Sequence, residues 1–146
     1  MSTRAVGIDL GTTFSAIAHV NKHGVPEILH NGEGDRITPT VLLFEDQEVV
    51  VGNYAKQSAV VYPERVAEFV KRRMGQRDWR FTYAGKEYSP EQISSVVLSK
   101  LKHDAEMRLG HRIDQAVITV PAHFGEAQRQ ATMEAGRMAG FDVLKL

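Results

Sequence analysis

The feature that most constrains this chain is a carboxylate set in the middle of an apolar strand. Residues 5–20, AVGIDLGTTFSAIAHV, predict two strands joined by a Gly-Thr-Thr turn. Val6, Ile8 and Leu10 alternate with other residues along the first strand, and Asp9 lies between the last two of them. Apolar side chains would pack better than the carboxylate of Asp9 and the two threonine hydroxyls of the turn. A binding role for this hairpin therefore has to be weighed against a purely structural one.

The Gly-Thr-Thr turn has the chemistry that a phosphate group needs. Gly11 has no Cβ, so the backbone can turn sharply there and approach a ligand closely. The backbone N–H groups of the turn and the hydroxyls of Thr12 and Thr13 are donors for anionic oxygens. Asp9 would repel a phosphate unless a divalent cation lay between them, and Mg²⁺ prefers hard oxygen ligands. The pattern predicts either a phosphate site with Asp9 on the Mg²⁺ side, directly or through water, or a plain turn with a half-exposed Asp9.

The first half of the chain is rich in predicted strands. After the hairpin, further strands are predicted at residues 25–30, 40–44 and 48–52, separated by polar turns. The opening is therefore predicted to be a mostly antiparallel meander. It contains neither a G-x-x-x-x-G-K-[ST] loop nor a G-x-G-x-x-G loop that opens a helix, so any nucleotide site would be of the hairpin type.

The second half of the chain changes to a helical period. Ser89, Pro90 and Gln92 predict a helix start, with Ser89 as the N-cap, proline at the first helical position and a capping box completed by Gln92. Gly110 stands where a helix commonly ends. Apolar residues recur every fourth position between them: Ile93, Val97, Leu101, Ala105 and Leu109. The pattern predicts a helix of about five turns with one apolar stripe.

A strand, a helix and a second strand are predicted for the rest of the chain. Residues 116–121 form a short apolar run, which predicts a strand buried on both faces and ended by proline. Residues 141–146 predict the second strand. The helix between them carries alanines at every fourth position: Ala127, Ala131, Ala135 and Ala139. Together they predict a right-handed β-helix-β crossover and an α/β fold in which residues 1–146 form one compact unit.

The composition excludes several classes of function. The 18 basic and 18 acidic residues cancel, so no basic excess is available for nucleic acid or for an anionic membrane surface. The chain has no cysteine for disulfides, thiolate metal sites or a cysteine nucleophile. No two of the six histidines share a predicted helix face, so no histidine metal site is predicted. Without an apolar run of ~20 residues or a signal peptide, we expect a cytoplasmic protein with no membrane partner.

Several segments together resemble the heat shock protein 70 (DnaK-like) chaperone family. They are GIDLGTTFS (7–15), TPTVLLF (38–44), VGNYAKQ (51–57), VKRRMG (70–75), AVITVPAHF (116–124) and QRQATMEAGRMAGFDVLKL (128–146). Their order and spacing follow the family over essentially the whole chain. The resemblance implies an actin-like, ribonuclease H-like α/β fold with a mixed sheet and packed helices. Residues 1–146 would be the N-terminal lobe fragment of its nucleotide-binding domain.

The resemblance implies that the hairpin binds ATP or ADP together with Mg²⁺. Asp9 would help to hold Mg²⁺ through water, and Thr12 and Thr13 would lie on the phosphates next to Gly11. Phe14 stands at the nucleotide site, where tyrosine is the more common aromatic residue of the family. The ring is kept at this position and a hydroxyl is lost.

The resemblance implies further roles for three residues outside the hairpin. Lys71 would lie near the γ-phosphate and orient or activate the attacking water. Pro121 and Arg129 would relay the nucleotide state to a peptide-binding domain. From the residues alone, Lys71 would belong to a solvated basic face, Pro121 would only end a strand, and Arg129 would be an exposed helix residue.

The implied partners of the parent protein are a J-domain co-chaperone, a nucleotide exchange factor and unfolded polypeptide clients. The chain departs from the family at His123 and at residues 125–126, and residues 76–88 are shorter than usual. They predict a single hairpin around Ala84 and Gly85, so the outer part of the lobe is trimmed. The phrases RRMGQRDWRF and HDAEMRLG most resemble the specialised bacterial HscC-type branch.

The family closes its site between two lobes, and its second acidic phosphate loop and adenosine pocket have no counterpart here. The chain also ends inside a predicted strand. We therefore expect these 146 residues alone to bind ATP weakly or not at all and to be inactive, whereas the parent protein would be an ATPase. Two other functions remain open. One is a sugar or acetate kinase of the same superfamily, and the other is a non-catalytic binding module that uses the hairpin structurally.

Overall fold

The computed structural model describes residues 5–146 and contains two β-sheets, a hairpin and three α-helices in that range. The strands are β1 (Ala5–Leu10), β2 (Phe14–Val20), β3 (Pro26–Ile28), β4 (Thr38–Pro39), β5 (Val41–Phe44), β6 (Val49–Val51), β7 (Val66–Glu68), β8 (Phe81–Tyr83), β9 (Lys86–Tyr88), β10 (Gln115–Thr119) and β11 (Asp142–Lys145). The helices are α1 (Asn53–Ser58), α2 (Pro90–Leu109) and α3 (Glu126–Met138), with short 3-10 turns at Pro63–Arg65 and Val70–Arg73.

The main sheet is mixed and has the order β11-β10-β1-β2-β3, with β4 paired to β2. β1 runs antiparallel to β2 and parallel to β10, and β10 runs parallel to β11. The predicted hairpin and the parallel pairing of the predicted crossover are therefore confirmed. Val6, Ile8 and Leu10 are buried while Gly7 and Asp9 are exposed, as the alternation along β1 predicts.

A smaller outer unit consists of the sheet β6-β5-β7 and the β8–β9 hairpin. The hairpin predicted around Ala84 and Gly85 is confirmed. It is held to the sheet by aromatic contacts with buried Phe44, whose ring centroid lies 5.1 Å from that of Phe81 and 4.8 Å from that of Tyr88. Neither α1 nor β7 was predicted, and β3 is shorter than the predicted strand at residues 25–30.

The two long helices pack on each other and on the main sheet. The capping box of α2 is confirmed: the Gln92 N–H donates to Ser89 Oγ at 3.1 Å, and the Ser89 N–H donates to Gln92 Oε1 at 2.8 Å. Gly110 ends α2 in the left-handed conformation. In α3 only the middle of the alanine stripe, Ala131 and Ala135, is buried.

One prediction about the sheet is wrong. β10 was expected to be buried on both faces, but its residues alternate, and Val117 is 37% exposed while Ala116 and Ile118 are fully buried. In the described residues only one face of this strand is covered by the helices. A short apolar run does not distinguish a strand covered on one face from one covered on both. In the same range no helix combines the length and the apolar character that a bilayer crossing requires.

Candidate functional site

Asp9 lies at the carboxyl end of β1, beside the equivalent end of β10. The two strands are parallel and in register at Asp9 and Thr119, and Thr119 Oγ1 donates to Asp9 Oδ1 at 3.2 Å. The carboxylate is otherwise exposed. β1 is also where the sheet changes direction, between a parallel and an antiparallel neighbour. In open α/β sheets, ligands bind outside the carboxyl ends of the parallel strands, and the carboxyl ends of β1 and β10 lie side by side here.

The turn that follows Asp9 depends on the missing side chain of Gly11. A Cβ at this position would overlap the backbone carbonyl oxygen of Phe14, because the chain folds back on itself within three residues. The turn is also stabilised by the Thr40 N–H, which donates to the Thr13 carbonyl at 2.9 Å. The buried hydroxyls of Ser15 and Thr40 are hydrogen-bonded at 2.8 Å. Gly11 therefore permits a close approach of backbone to backbone.

The side chains of the turn differ in exposure. Thr12 is half-buried, whereas Thr13 and Phe14 are exposed. The ring of Phe14 is 39% exposed, and Lys56 Nζ of α1 lies 4.5 Å from its centroid. The turn thus presents the exposed side chains of Thr13 and Phe14, and the ammonium group of Lys56 lies next to the Phe14 ring.

Lys71 follows β7 of the smaller sheet, and its side chain extends to the loop after β10. It lies in the 3-10 turn Val70–Arg73, which is fixed on both sides by the buried side chains of Val70 and Met74. Burial lowers the pKa of Lys71, and the carboxylate of Asp9 opposes this by stabilising the charged form. Lys71 Nζ also lies 5.8 Å from the ring centroid of Phe124. Lys71 therefore lies beside the loop after β10 and within electrostatic range of the Asp9 carboxylate.

Pro121 and Arg129 are brought together by Phe124, in the loop between β10 and α3. The Phe124 N–H donates to the Pro121 carbonyl at 3.0 Å, and Arg129 Nε donates to the Phe124 carbonyl at 3.2 Å. The buried ring of Phe124 faces the ammonium of Lys71. All three residues that were predicted from the resemblance outside the hairpin are thus connected through one aromatic residue.

Sequence reasoning missed Thr119, Phe124 and Lys56. Thr119 becomes important only through the register of β1 and β10, which cannot be derived from one sequence. Phe124 lies inside the segment AVITVPAHF, but an apolar residue next to a strand end is first taken as part of the core. Lys56 lies on α1, a helix that was not predicted.

The donor set suits a hydrated cation better than a protein cage. In residues 5–146 no group of three or more acidic or histidine side chains could enclose a metal ion. Asp9 offers one exposed carboxylate beside the uncharged hydroxyls of the turn. Mg²⁺ usually keeps several waters and takes one or two carboxylates together with substrate phosphates. These residues therefore fit a Mg²⁺ ion that is held through water and phosphate.

The comparisons with known proteins agree with this architecture. A family model described as Hsp70 protein matches residues 5–81 and 76–146. Chaperone protein DnaK of Halobacterium salinarum is 48% identical over 145 residues, which cover 99% of this chain and 23% of that protein. Chaperone protein DnaK of Thermotoga petrophila is 49% identical and that of Thermotoga neapolitana 50% identical over 142 residues, covering 97% of the chain and 24% of each relative.

The chain thus spans about a quarter of the length of these relatives. The family matches argue against the sugar or acetate kinase alternative. The mixed sheet with its packed helices corresponds to part of the first lobe of an actin-like ATPase fold. The chain belongs to the Hsp70 protein family.

Proposed function

We propose that residues 1–146 form one lobe of the ATP site of a DnaK-like chaperone, and that the longer protein hydrolyses ATP to ADP and phosphate. The observation that supports the proposal is the half-buried ammonium group of Lys71, which lies 5.8 Å from the ring centroid of Phe124 in the loop after β10 and within electrostatic range of the Asp9 carboxylate.

The roles of the residues follow from the needs of phosphoryl transfer, which are positioning and charge neutralisation. The turn at Gly11, Thr12 and Thr13 would hold the phosphates with N–H and hydroxyl donors, and Phe14 would lie beside the nucleotide. Asp9 would hold Mg²⁺ through water, and Mg²⁺ supplies positive charge at the phosphate oxygens when it is bound. Thr119 fixes the Asp9 carboxylate by donating to Oδ1.

Lys71 would orient the attacking water by donating from its ammonium group. Partial burial keeps that group weakly hydrated, which strengthens its interaction with an anion. Phe124 would then connect the state of the site to Pro121 and Arg129 through its two backbone hydrogen bonds. We propose that this connection serves the coupling of ATP hydrolysis to polypeptide binding and release.

Partners and location follow as parts of the same proposal. The longer protein would act with a J-domain co-chaperone and a nucleotide exchange factor on unfolded polypeptides, in the cytoplasm. The opposite side of the nucleotide would be held by parts of the longer protein that these 146 residues do not include. The assignment to the HscC-type branch stays a prediction from the two phrases quoted above.

The test uses the full-length protein that contains this sequence and compares Lys71→Ala with Lys86→Ala, an exposed lysine on the outer hairpin. We expect Lys71→Ala to leave ATP affinity, measured by calorimetry, largely unchanged while single-turnover hydrolysis falls by about 100-fold. Lys86→Ala should hydrolyse like the unaltered protein. An unchanged rate in Lys71→Ala would remove Lys71 from the mechanism, and ATP binding that Asp9→Asn leaves untouched would favour the non-catalytic module.

A further inference from the structure

We infer that Phe69 is a positioning residue for Lys71, an inference that rests on the proposed function. Phe69 has a backbone φ of 59° and ψ of 25°, in the left-handed region that residues with a Cβ rarely adopt. In residues 5–146 the other non-glycine residue with positive φ is Ala84, at the tip of the β8–β9 hairpin, where a tight turn accounts for it. Phe69 is at no hairpin tip.

The left-handed residue sets the direction of the segment that carries Lys71. β7 ends at Glu68, and the 3-10 turn begins at Val70, so the whole change of direction falls on Phe69. The turn is closed by the Arg72 N–H, which donates to the Phe69 carbonyl at 3.1 Å. An extended backbone at residue 69 would continue β7 and carry Lys71 away from the carboxyl edge.

The ring of Phe69 does not explain its backbone, because it is not part of the core. It is 40% exposed, and its cation contact is with the Arg72 guanidinium, 4.8 Å from the ring centroid. The guanidinium group of Arg73, the residue after Arg72, lies 5.9 Å from the ring centroid of Trp79. Each of the basic residues 71–73 thus contacts a different aromatic ring, and the ring that Lys71 contacts belongs to the loop after β10.

Strained backbone at a non-glycine residue persists where the surrounding structure enforces it, and such residues cluster at functional sites. The strain here lies two residues before Lys71 and outside the core. A structural explanation would require Phe69 to fill space or to cap a helix, and the 3-10 turn has no side-chain cap from it. The geometry therefore assigns the left-handed bend to the placement of Lys71.

The test uses the full-length protein with substitutions that separate the backbone from the ring. Phe69→Gly and Phe69→Asn keep the left-handed bend accessible without the ring, whereas Phe69→Ile has a β-branched side chain that disfavours it. We expect Phe69→Ile to lower single-turnover hydrolysis by about tenfold or more while ATP affinity stays within about twofold. Phe69→Gly and Phe69→Asn should hydrolyse at rates close to that of the unaltered protein.

Lys71→Ala is measured in parallel, so that the two proposals can fail separately. A slow Lys71→Ala with a fully active Phe69→Ile would overturn the role of Phe69 alone. The same holds if Phe69→Gly, Phe69→Asn and Phe69→Ile slow hydrolysis equally, because the bend would then not be the cause. An unchanged rate in Lys71→Ala would instead remove Lys71 from the proposed mechanism, and the role of Phe69 with it. Thermal unfolding of each variant identifies a loss of activity that comes from misfolding.

Discussion

Replacing Gly11 by alanine tests whether the phosphate turn depends on backbone packing. The added Cβ would overlap the Phe14 carbonyl oxygen, which is backbone and cannot rotate out of the way. The turn must therefore open. Ser15 pairs with Leu10 across the end of the hairpin, so opening the turn pulls on the last pair of β1 and β2.

The magnitude follows from the contacts that hold this turn. The hydrogen bond from Thr40 to the Thr13 carbonyl and the buried pair of Ser15 and Thr40 hydroxyls would both be strained or lost. Each is worth about 1 kcal/mol, and a buried hydroxyl left without a partner costs ~1–3 kcal/mol. Alanine also lowers the conformational entropy of the unfolded chain, which raises the free energy of unfolding by about 0.4–1 kcal/mol. We expect Gly11→Ala to lower the free energy of unfolding by about 2–3 kcal/mol.

The chain offers a matched control in β1, the strand that precedes the turn. A Cβ on Gly7 would meet nothing within 4 Å, and Gly7 lacks a positive φ. Gly7→Ala should therefore change the free energy of unfolding by no more than about 0.5 kcal/mol. Urea unfolding followed by the fluorescence of Trp79 measures both variants, and ATP calorimetry on the full-length protein should show weaker binding for Gly11→Ala alone. If Gly11→Ala is as stable as Gly7→Ala and binds ATP equally well, the argument from the close approach is wrong.

Three further predictions follow from single contacts. Ser89→Ala removes the acceptor for the Gln92 N–H and should destabilise α2 by about 1 kcal/mol in urea unfolding. Gly136→Ala places a Cβ 2.5 Å from Val143 Cγ2. The overpacking costs ~1–3 kcal/mol and should exceed the gain in helix propensity of about 1 kcal/mol, so the free energy of unfolding should fall. Adding Val143→Ala, which removes the clashing methyl group, should restore part of the loss. Burial lowers the pKa of Lys71 from 10.5, so the unfolded chain binds more protons just below pH 10.5 and stability should rise with pH across that window. Lys71→Met should remove this rise, as urea titrations at several pH values would show.

Much of the fold could be predicted because its strongest signals are local. The capping box of α2 needs only residues 89–92, and both of its hydrogen bonds form as expected. The alternation in β1 correctly separated buried Ile8 from exposed Asp9. These elements depend on spacing within one turn or one strand, which the sequence displays directly.

The missed elements depend on tertiary contacts. α1 has no side-chain cap and follows Gly52, whose φ is 116°, so no helix start is visible in the sequence. β7 has three residues and exists because it pairs with β5. The exposed face of β10 could not be predicted either, since Val117 and Ile118 are equally apolar and only the placement of the helices separates them.

The candidate site shows the same limit most clearly at its cation. Lys71, Arg72 and Arg73 form a run that is typical of a solvated basic face. The structure separates them by aromatic rings that come from different parts of the chain, and the ring facing Lys71 is contributed by the loop after β10. The partner that distinguishes Lys71 from its neighbours is therefore remote in sequence. A resemblance to relatives can point to such a residue, but it does not explain why the residue is special. The physical explanation proposed here is that the left-handed bend at Phe69 directs Lys71 toward Asp9.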